Sequence, residues 1–535
     1  MTLEAILKVL TEAELLSPCP SEEVKGVTCD SRKVEPGYIF VAIPGALTDG
    51  HLYIDQALER GALAVVLERE QALEGVCQVK VPVARRALAQ LSRAFYAYPD
   101  RDMYMMGVTA TNGKTTTTSM VHHVLDKMGV SSSVIGSVAY SVGEERTRSI
   151  LTTPESTDLH ALFSKQREAG VQVVAMEVSS IAEAQYRVFG IDYDAVAFLN
   201  ITPDHMPDHG SFEAYYVAKT QLVTGVKPGT PVILNRDDPL VRALASQTPG
   251  QVVFIGIGQE LSNITEEAHI SHNKSNVSHT NSFDLIYADN LRLPGGIPRF
   301  DLVVERPLKI GRGKLEAGRW PVSLAVPGRH SVYNALAALL LLVSYGINLE
   351  AAIGHLESFP GVERRLQILY DREFTLLDDH ISDEDNTRKM LEALEVMTEG
   401  RPVHIIYAVR GNRGVEVNRE VAAQFALFRD KIKWQTFIVT NSVDVARERD
   451  IVHPEEFDAV MEDLLAAGYE ISYVPELTTA IEGLLPQLGE KEIFVLAGSH
   501  NMDRGGRIAI NLLASMKPEE ERAEILKILE GRMMG

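Results

Sequence analysis

A run of small residues between Gly107 and Thr118, GVTATNGKTTTT, has the composition of a loop that binds nucleotide phosphates. It follows the apolar stretch MYMMGV and precedes SMVHHVLDKM, which has helical spacing. In that order of strand, loop and helix, backbone N–H groups gather at a helix N-terminus, where the helix dipole favours phosphate. Lys114 would add a positive charge and Thr115 a Mg²⁺ ligand, so the run predicts ATP binding. Because Val108 stands where a strict GxxxxGK[ST] loop has its first glycine, an ordinary tight turn is the alternative.

A second group of chemically active side chains lies between Glu177 and Lys219. Glu177 ends the hydrophobic stretch VQVVAMEV, and NITPDHMPDHG, which contains His205, ends the next one. The carboxyl ends of parallel strands meet at one edge of a sheet, where the phosphate loop would also lie. Glu177 and His205 could share a divalent metal ion there, or His205 could be a buried histidine with satisfied hydrogen bonds. Lys219 by itself is typical of an exposed helix lysine.

Three α/β blocks would position these residues. In residues 1–99, short strand-like pieces alternate with helical ones, which predicts a small α/β domain. Residues 100–325 begin with the phosphate loop and contain several buried-strand candidates, as in a doubly wound parallel sheet. Residues 326–535 begin with the apolar helix candidate NALAALLLLVSYGI and then alternate again, which predicts a second parallel α/β unit.

Composition limits the partners and the compartment. The chain has 535 residues and a net charge of −21, so nucleic acid and anionic membrane are disfavoured as general partners. Local positive charge must therefore meet any anionic substrate. Cys19, Cys29 and Cys77 are odd in number and lack CxxC spacing, which predicts a reduced, cytoplasmic protein without a disulfide. No signal-peptide pattern opens the sequence, and its long apolar run is too short to span a bilayer.

Motifs in all three blocks resemble those of the Mur ligases, most strongly the MurE branch. They include the phosphate loop, TTPESTDLH, AMEVSS, FLNITPDHM, HGSFEAYYVAK and the N-terminal VTCDSRKVEPGYIFVAIPGALTDGH. The resemblance implies a monomer of α/β class with three domains. These are a UDP-sugar-binding domain (1–99), a central ATPase with a P-loop-type parallel sheet (100–325) and a Rossmann-like C-terminal ligase domain (326–535).

The same resemblance implies ATP-dependent amide ligation. A carboxylate attacks the γ-phosphate of ATP to form an acyl phosphate, and an amine then displaces phosphate. Catalysis of this kind consists mostly of positioning and charge neutralisation. The implied substrates are small molecules: a UDP-MurNAc dipeptide or a close mimic, and an amino acid or amine.

The family's functional positions fall on named residues of this chain. The implied catalytic residues are Lys114, Glu177, His205 and Lys219. The implied Mg²⁺ ligands are Thr115, Glu177, His205 and Lys219, the last as a carbamylated lysine. The implied ATP-binding residues are Thr111, Asn112, Gly113, Lys114, Thr115, Thr116, Asn334, Arg365 and Asp378. The implied substrate-binding residues are Thr152, Thr153, Ser179, Gln185 and Arg187 for the muramyl dipeptide, and Ser31, Arg32 and His51 for the uridine nucleotide.

Two positions of the central block and one at the start of the third block depart from the family pattern. Ala110 stands where the family usually has glycine, and alanine fits there only if its φ is not positive. Ile181 replaces the histidine that usually follows EVSS, and Ser331 replaces an asparagine.

The third block departs further. DDHISD (378–383) stands for DYAHTP, AVRGNRG (408–414) for a glycine-rich GCGGDRD, and GSHNMD (498–503) for GKGHE. The acceptor-recognition motif DNPR is replaced by SVDV (442–445). These changes disfavour diaminopimelate as the incoming amine and, to a lesser degree, lysine.

Three functions remain possible from the sequence. The first is a MurE-like ligase that uses a muramyl dipeptide and an unusual amine. The second is a Mur-like ligase acting on a carboxylate outside the cell wall, and the third is a non-catalytic protein that binds nucleotide and UDP-sugar. The intact set Lys114, Glu177, His205 and Lys219 favours an enzyme, and the retained N-terminal block favours the first function over the second.

Overall fold

The computed structural model describes residues 1–45, 48–73, 75–143, 145–203, 206–258, 283–530 and 532–533. Its strands are β1 Glu14–Leu15, β2 Gly26–Thr28, β3 Tyr38–Val41, β4 Ala64–Leu67, β5 Cys77–Lys80, β6 Tyr104–Thr109, β7 Ser132–Ile135, β8 Ala139–Val142, β9 Glu145–Arg148, β10 Val173–Glu177, β11 Ala195–Phe198, β12 Pro231–Asn235, β13 Gln251–Ile257, β14 Asp284–Arg292, β15 Arg299–Val304, β16 Leu308–Ile310, β17 Gly313–Leu315, β18 Gly318–Ser323, β19 Gln367–Asp371, β20 Thr375–Asp379, β21 Val403–Ala408, β22 Trp434–Thr440, β23 Ile471–Tyr473 and β24 Ile493–Gly498. Its helices are α1 Leu3–Leu7, α2 Ile54–Glu59, α3 Ala84–Phe95, α4 Lys114–Lys127, α5 Ser156–Glu168, α6 Ser180–Ala184, α7 Met206–His209, α8 Phe212–Thr224, α9 Pro239–Arg242, α10 His330–Tyr345, α11 Leu349–Leu356, α12 Glu384–Thr398, α13 Val415–Leu427, α14 Pro454–Ala466, α15 Leu477–Leu484, α16 Gly505–Ser515 and α17 Glu519–Leu526.

The N-terminal block forms a five-stranded sheet of order β1-β5-β4-β3-β2. Strands β2 to β5 are parallel, and β1 pairs antiparallel with β5. Every residue of β4 is buried, as expected for a parallel strand covered on both faces. The apolar side of α3, including Leu88 and Leu91, packs in the core on one of these faces.

A disulfide joins Cys19 to Cys77 at the first residue of β5, with their Cα atoms 4.6 Å apart. The prediction of a chain without a disulfide is therefore wrong for this pair. An odd number of cysteines and the lack of CxxC spacing do not reveal which residues a sheet brings together. Cys29 is not disulfide-bonded, and burial raises the pKa of its thiol to about 11.

The central block forms an eleven-stranded sheet of order β18-β15-β14-β13-β12-β11-β6-β10-β7-β8-β9. Strands β7, β10, β6, β11, β12, β13 and β14 run parallel, and antiparallel strands complete both edges. The chain passes from β6 to β7 and β10 on one side, and then to β11 on the other. The strand order reverses at β6, so the loops after β6, β10 and β11 share one edge of the sheet. This is where open α/β sheets bind ligands.

Helix α10 is buried on nearly all sides because it packs beside α4 on one face of the central sheet and is also covered by α11, β16 and β17. Its leucines belong to the same core as β6, β13 and β14, and α11 extends that core. The predicted boundary near residue 325 therefore does not coincide with the change of core, which comes between α11 and β19.

The C-terminal block forms a six-stranded sheet of order β19-β20-β24-β21-β22-β23, parallel except for β19. Helices α12 to α14 cover one face, and α15 to α17 cover the other. These sheets and helices confirm the predicted α/β class with two doubly wound units. Among the described residues, no helix is long and apolar enough to cross a membrane.

Candidate functional site

The phosphate loop, residues 110–113, connects β6 to α4. Gly113 has a φ of +102°, and a Cβ atom there would lie 2.3 Å from Oδ1 of Asn334, so the position requires glycine. Nζ of Lys114 donates hydrogen bonds to the carbonyl oxygens of Ala110 at 2.7 Å and Thr111 at 2.9 Å. Ala110 is absent from the residues with positive φ, which explains why alanine fits there.

Residues after β11 hold the phosphate loop in place. The backbone N–H of Asn112 donates to Oδ1 of Asn200 at 3.0 Å, and Nδ2 of Asn200 donates to the carbonyl of Asn112 at 2.7 Å. The hydroxyls of Thr111 and Tyr215 are 3.0 Å apart. The loop is thus fixed before any ligand binds, which lowers the entropy lost on binding.

Glu177, at the end of β10, is fully buried beside the loop. Its Oε1 accepts a hydrogen bond from the N–H of Ser137 at 2.7 Å, and its Oε2 accepts one from the Ser137 hydroxyl at 3.1 Å. A Cβ atom at Gly136 would lie 2.1 Å from Oε1, so this carboxylate needs glycine beside it. Carboxylate and hydroxyl oxygens, such as those of Glu177 and Thr115, are the ligands that Mg²⁺ prefers.

Lys219 is 2% exposed, which rules out an exposed helix lysine. Its Nζ donates to the carbonyl of Ala110 at 2.7 Å, the same oxygen that Lys114 contacts, and lies 5.0 Å from the centre of the Tyr215 ring. Nearby, burial raises the pKa of Glu183 to about 8, although the charge of Lys219 lowers it. His205 lies outside the described residues, so its metal-binding role stays a prediction.

A cavity of about 110 Å³, here called the loop cavity, lies between the central and C-terminal sheets. Eight of the nine residues predicted to bind ATP line it: Thr111, Asn112, Gly113, Lys114, Thr115, Thr116, Asn334 and Arg365. Asp378 does not. Its carboxylate is fully buried between Arg364, 3.2 Å away, and Arg532, 2.7 Å away. Asp379 lines the cavity instead, and burial raises its pKa to about 6.

The residues predicted to hold the muramyl dipeptide form a network that reaches Glu177. The hydroxyl of Thr153 donates to the Glu177 carbonyl at 2.8 Å and accepts from the N–H of Ser179 at 3.2 Å. Arg187 donates to the Thr153 carbonyl at 3.0 Å and to Oε1 of Gln185 at 2.7 Å.

Two further contacts complete this network. The hydroxyls of Thr152 and Ser137 are 3.1 Å apart. The guanidinium of Arg187 lies 2.9 Å from a carboxylate oxygen of Glu155, a partner that sequence reasoning missed. Burial, opposed by this carboxylate, lowers the pKa of Arg187.

The residues predicted to bind the uridine nucleotide lie around α2 in the N-terminal block. The hydroxyl of Ser31 donates to Oε1 of Gln56 at 2.6 Å, and Arg32 pairs with Asp30 at 2.9 Å. His51 is buried, and its Nδ1 lies 2.7 Å from Oδ1 of Asp49. The backbone and ring hydrogen bonds from His51 lower the pKa of Asp49 to about 2.

The C-terminal block contacts the phosphate loop through Asp385, near the start of α12. Its Oδ2 accepts hydrogen bonds from Nδ2 of Asn112 at 2.6 Å and from the Thr202 hydroxyl at 3.3 Å, and lies 2.5 Å from Nζ of Lys389. Sequence reasoning missed this residue, because an acid in the first turn of a helix is an ordinary capping feature.

Comparisons with known proteins agree with this geometry. Residues 23–96 match the Mur ligase family catalytic domain, and residues 108–342 match the Mur ligase middle domain. The second match ends inside α10, the helix that packs in the central core.

Two curated relatives are each named UDP-N-acetylmuramoyl-L-alanyl-D-glutamate–2,6-diaminopimelate ligase. The chain is 32% identical over 408 residues to that of Halalkalibacterium halodurans, covering 76% of both chains. It is 30% identical over 485 residues to that of Geobacillus thermodenitrificans, covering 89% of this chain and 90% of that one.

A solved structure of a protein with this name matches 97% of the chain and all of its own length, with a TM-score of 0.66 and 20% identity. At that identity the match concerns the fold. The family models, the curated relatives and the cavity at the phosphate loop agree. The chain belongs to the Mur ligase family and is an ATP-dependent acid–amino acid ligase.

Proposed function

We propose that this ligase is cytoplasmic and joins the free carboxylate of a UDP-muramyl dipeptide to an amine. One observation carries the proposal: Lys114, Glu177 and Lys219 meet at one sheet edge, and the Thr153–Arg187 network ends on Glu177. The substrate carboxylate would thus lie beside the γ-phosphate of ATP. The N-terminal residues Ser31, Arg32 and His51 supply the site for the uridine nucleotide.

The reaction has two steps. An oxygen of the substrate carboxylate attacks the γ-phosphorus, the bond to the β–γ bridging oxygen breaks, and ADP leaves. The amine nitrogen then attacks the acyl carbon, loses a proton, and inorganic phosphate departs. Lys114 neutralises charge on the phosphates, and Asn200 and Asp385 keep the loop in position.

The oxygen ligands beside the loop fit Mg²⁺. Glu177 is buried with its carboxylate aimed by Ser137, and the Thr115 hydroxyl is at the start of α4 in the same cavity. Bound there, Mg²⁺ would reduce the repulsion between the two reacting anions.

We further propose that Lys219 works as a carbamate. Two ammonium groups, those of Lys114 and Lys219, contact the single carbonyl of Ala110. Like charges at such short range repel each other. A carbamate at Lys219 would turn this repulsion into attraction and add an anionic oxygen ligand at the sheet edge where Glu177 also lies.

The first experiment measures phosphate release from ATP and Mg²⁺ with UDP-MurNAc-L-Ala-D-Glu across a panel of amino acids and diamines, and records the product mass. Amine-dependent release with a matching mass gain is expected. No phosphate release with any amine, together with retained UDP-sugar binding, would support a non-catalytic protein. Loss of UDP-sugar binding as well would point to a carboxylate outside the cell wall.

Two variants test the assigned lysines. Lys114→Ala should abolish ATP turnover with the fold intact, because the phosphates lose their cation. Lys219→Ala should be inactive but partly rescued by a short-chain carboxylic acid, since the missing anion can come from solution. The matched control is Lys227→Ala, a lysine 69% exposed and paired with Asp192. Rescue by amines, or full activity of Lys114→Ala, would contradict these roles.

A further inference from the structure

A second cavity, here called the arginine cavity, continues from the loop cavity between the edges of the central and C-terminal sheets. Its volume is about 540 Å³. Eight of its lining residues are Lys or Arg and four are Asp or Glu, in a chain whose net charge is −21. Positive charge is therefore concentrated here against the overall composition.

Three of the four acids that face the cavity are firmly engaged within the protein. Asp383 caps the N-terminus of α12. Asp503 is ion-paired with Arg364, and Glu363 lies 3.2 Å from Nε of Arg532. The fourth acid, Asp450, lies 3.6 Å from Nε of Arg449. The eight cationic side chains outnumber the four acids, so the cavity keeps an excess of positive charge.

Two loops of the C-terminal block supply most of that surplus. Arg410 and Arg413 lie between β21 and α13, and Arg447 and Arg449 lie between β22 and α14. Among the described residues, no carboxylate oxygen lies within 4.0 Å of the Arg413 guanidinium. Arg447 shares Asp503 with other cations, at a distance of 3.5 Å.

Glu456 joins the two loops into one wall. It is 2% exposed, and its carboxylate accepts hydrogen bonds from the backbone N–H groups of residues 412–414 at 2.6 to 3.0 Å and of His453 at 3.0 Å. These bonds, opposed by burial, lower the pKa of Glu456. A Cβ atom at Gly411 would lie 2.3 Å from the Ile451 carbonyl oxygen, so the loops are in close contact. The arginines are thus presented on a preorganised surface.

Asp444, the acid within the SVDV segment (442–445) that replaces DNPR, does not line this cavity. Asp444 accepts hydrogen bonds from the N–H of Leu477 at 2.8 Å and the hydroxyl of Thr478 at 2.6 Å, and so caps α15. A distal ammonium group, as in lysine or diaminopimelate, would meet arginines without this carboxylate to offset them.

We propose that the incoming amine is an acidic amino acid, with one amine, an α-carboxylate and a second carboxylate on its side chain, bound by Arg410, Arg413 and Arg447. The proposal rests on the proposed ligase function. Guanidinium groups bind carboxylates through two parallel hydrogen bonds, so a wall of several arginines suits a ligand with two carboxylates. An acidic acceptor also leaves its single amine as the only nucleophile.

The test compares glutamate and aspartate, in both enantiomers, with glutamine, lysine and meso-diaminopimelate. Phosphate release and product mass are measured with UDP-MurNAc-L-Ala-D-Glu, ATP and Mg²⁺. An acidic amino acid should exceed its neutral amide in kcat/KM by about 10- to 100-fold, because guanidinium groups bind a carboxylate through charge-assisted hydrogen bonds that an amide cannot match. Preference for glutamine, lysine or diaminopimelate would overturn the proposal.

A binding measurement separates failure of this inference from failure of the ligase function. Calorimetric titration of each amine into the full-length protein with ADP and Mg²⁺ requires no turnover. Tighter binding of glutamate or aspartate than of glutamine supports the inference even if no phosphate is released. Equal or reversed binding overturns it, even if another amine is ligated.

Variants of the wall locate the effect. Arg413→Gln should weaken binding of the acidic amino acid by about 10- to 100-fold, as expected for loss of a hydrogen bond to a charged group. The KM for ATP should stay unchanged. Glu456→Gln should weaken binding of the acidic amino acid by a smaller factor, because Glu456 acts only by holding the loop that carries Arg413. The matched control, Arg372→Gln, removes an exposed arginine that pairs with Glu524. An unchanged acidic-amine affinity in Arg413→Gln would refute the assigned wall.

Discussion

Replacing Arg532 with methionine is expected to destabilise the C-terminal unit. This residue lies near the end of the sequence, but its side chain contacts the start of β19. Its side chain is 3% exposed. Its guanidinium donates to Oδ2 of Asp378 at 2.7 Å and to Oε1 of Gln367 at 2.8 Å, and lies 3.2 Å from Glu363. Methionine keeps the apolar stem but removes one cationic partner from each of these two buried carboxylates.

The magnitude follows from burial. Breaking a buried ion pair by removing one partner costs about 3–5 kcal/mol, because the other charge stays buried and uncompensated. Asp378 keeps Arg364 at 3.2 Å, which places the expected loss near the low end, at about 3 kcal/mol. For a unit of this size, 1 kcal/mol lowers Tm by roughly 2–4 °C, so a drop of roughly 6–12 °C is expected.

Differential scanning calorimetry of the full chain, supported by urea denaturation, measures this loss. The matched control is Arg372→Met, because Arg372 is 42% exposed and pairs with Glu524 at the surface, where an ion pair contributes about 0–1 kcal/mol. If both variants lose the same small amount, Arg532 does not occupy its buried position in solution, and the reasoning fails.

Three further predictions concern other parts of the molecule. Gly136→Ala should reduce ATP turnover by about 100-fold or more with an unchanged circular dichroism spectrum, because the alanine Cβ would displace the Glu177 carboxylate. A fully active variant would show that catalysis does not depend on the position of this carboxylate. Burial lowers the pKa of His160 from 6.5 to about 4, so the unfolded chain binds more protons and stability is lost as pH falls from 6.5 through 4. His160→Phe should remove this loss, which amounts to about 2 kcal/mol between pH 7 and pH 4.5, and urea unfolding at these two pH values measures it; an unchanged acid slope would refute the assignment. Without reductant, alkylation of the denatured chain should label one of the three cysteines. Reduction should make Cys19 and Cys77 reactive as well and lower the free energy of unfolding by about 4 kcal/mol, for a separation of 58 residues. Three labelled cysteines before reduction would show that the disulfide is not formed.

Local sequence determined the parts of the site that lie within one element. The phosphate loop could be predicted because β6, the loop and α4 are contiguous, and their glycines, lysine and hydroxyls act over a few residues. The α/β class followed from alternating apolar strands and helices, and the matches confirm the family. The role of Lys219 could not be derived from its surroundings in sequence, where it has the pattern of an exposed helix residue.

Tertiary structure alone decided the contacts between distant segments. Packing placed α10 in the central core, paired Cys19 with Cys77, buried Asp378 between Arg364 and Arg532, and brought Asp385 to the phosphate loop. The physical reason is the range of the interactions. Hydrophobic periodicity and turn chemistry constrain neighbours along the chain, whereas a buried ion pair or a shared cavity depends on how several sheets pack against one another. The sequence therefore determined which chemistry the loop performs, and the packing of the C-terminal block decided which charges surround it.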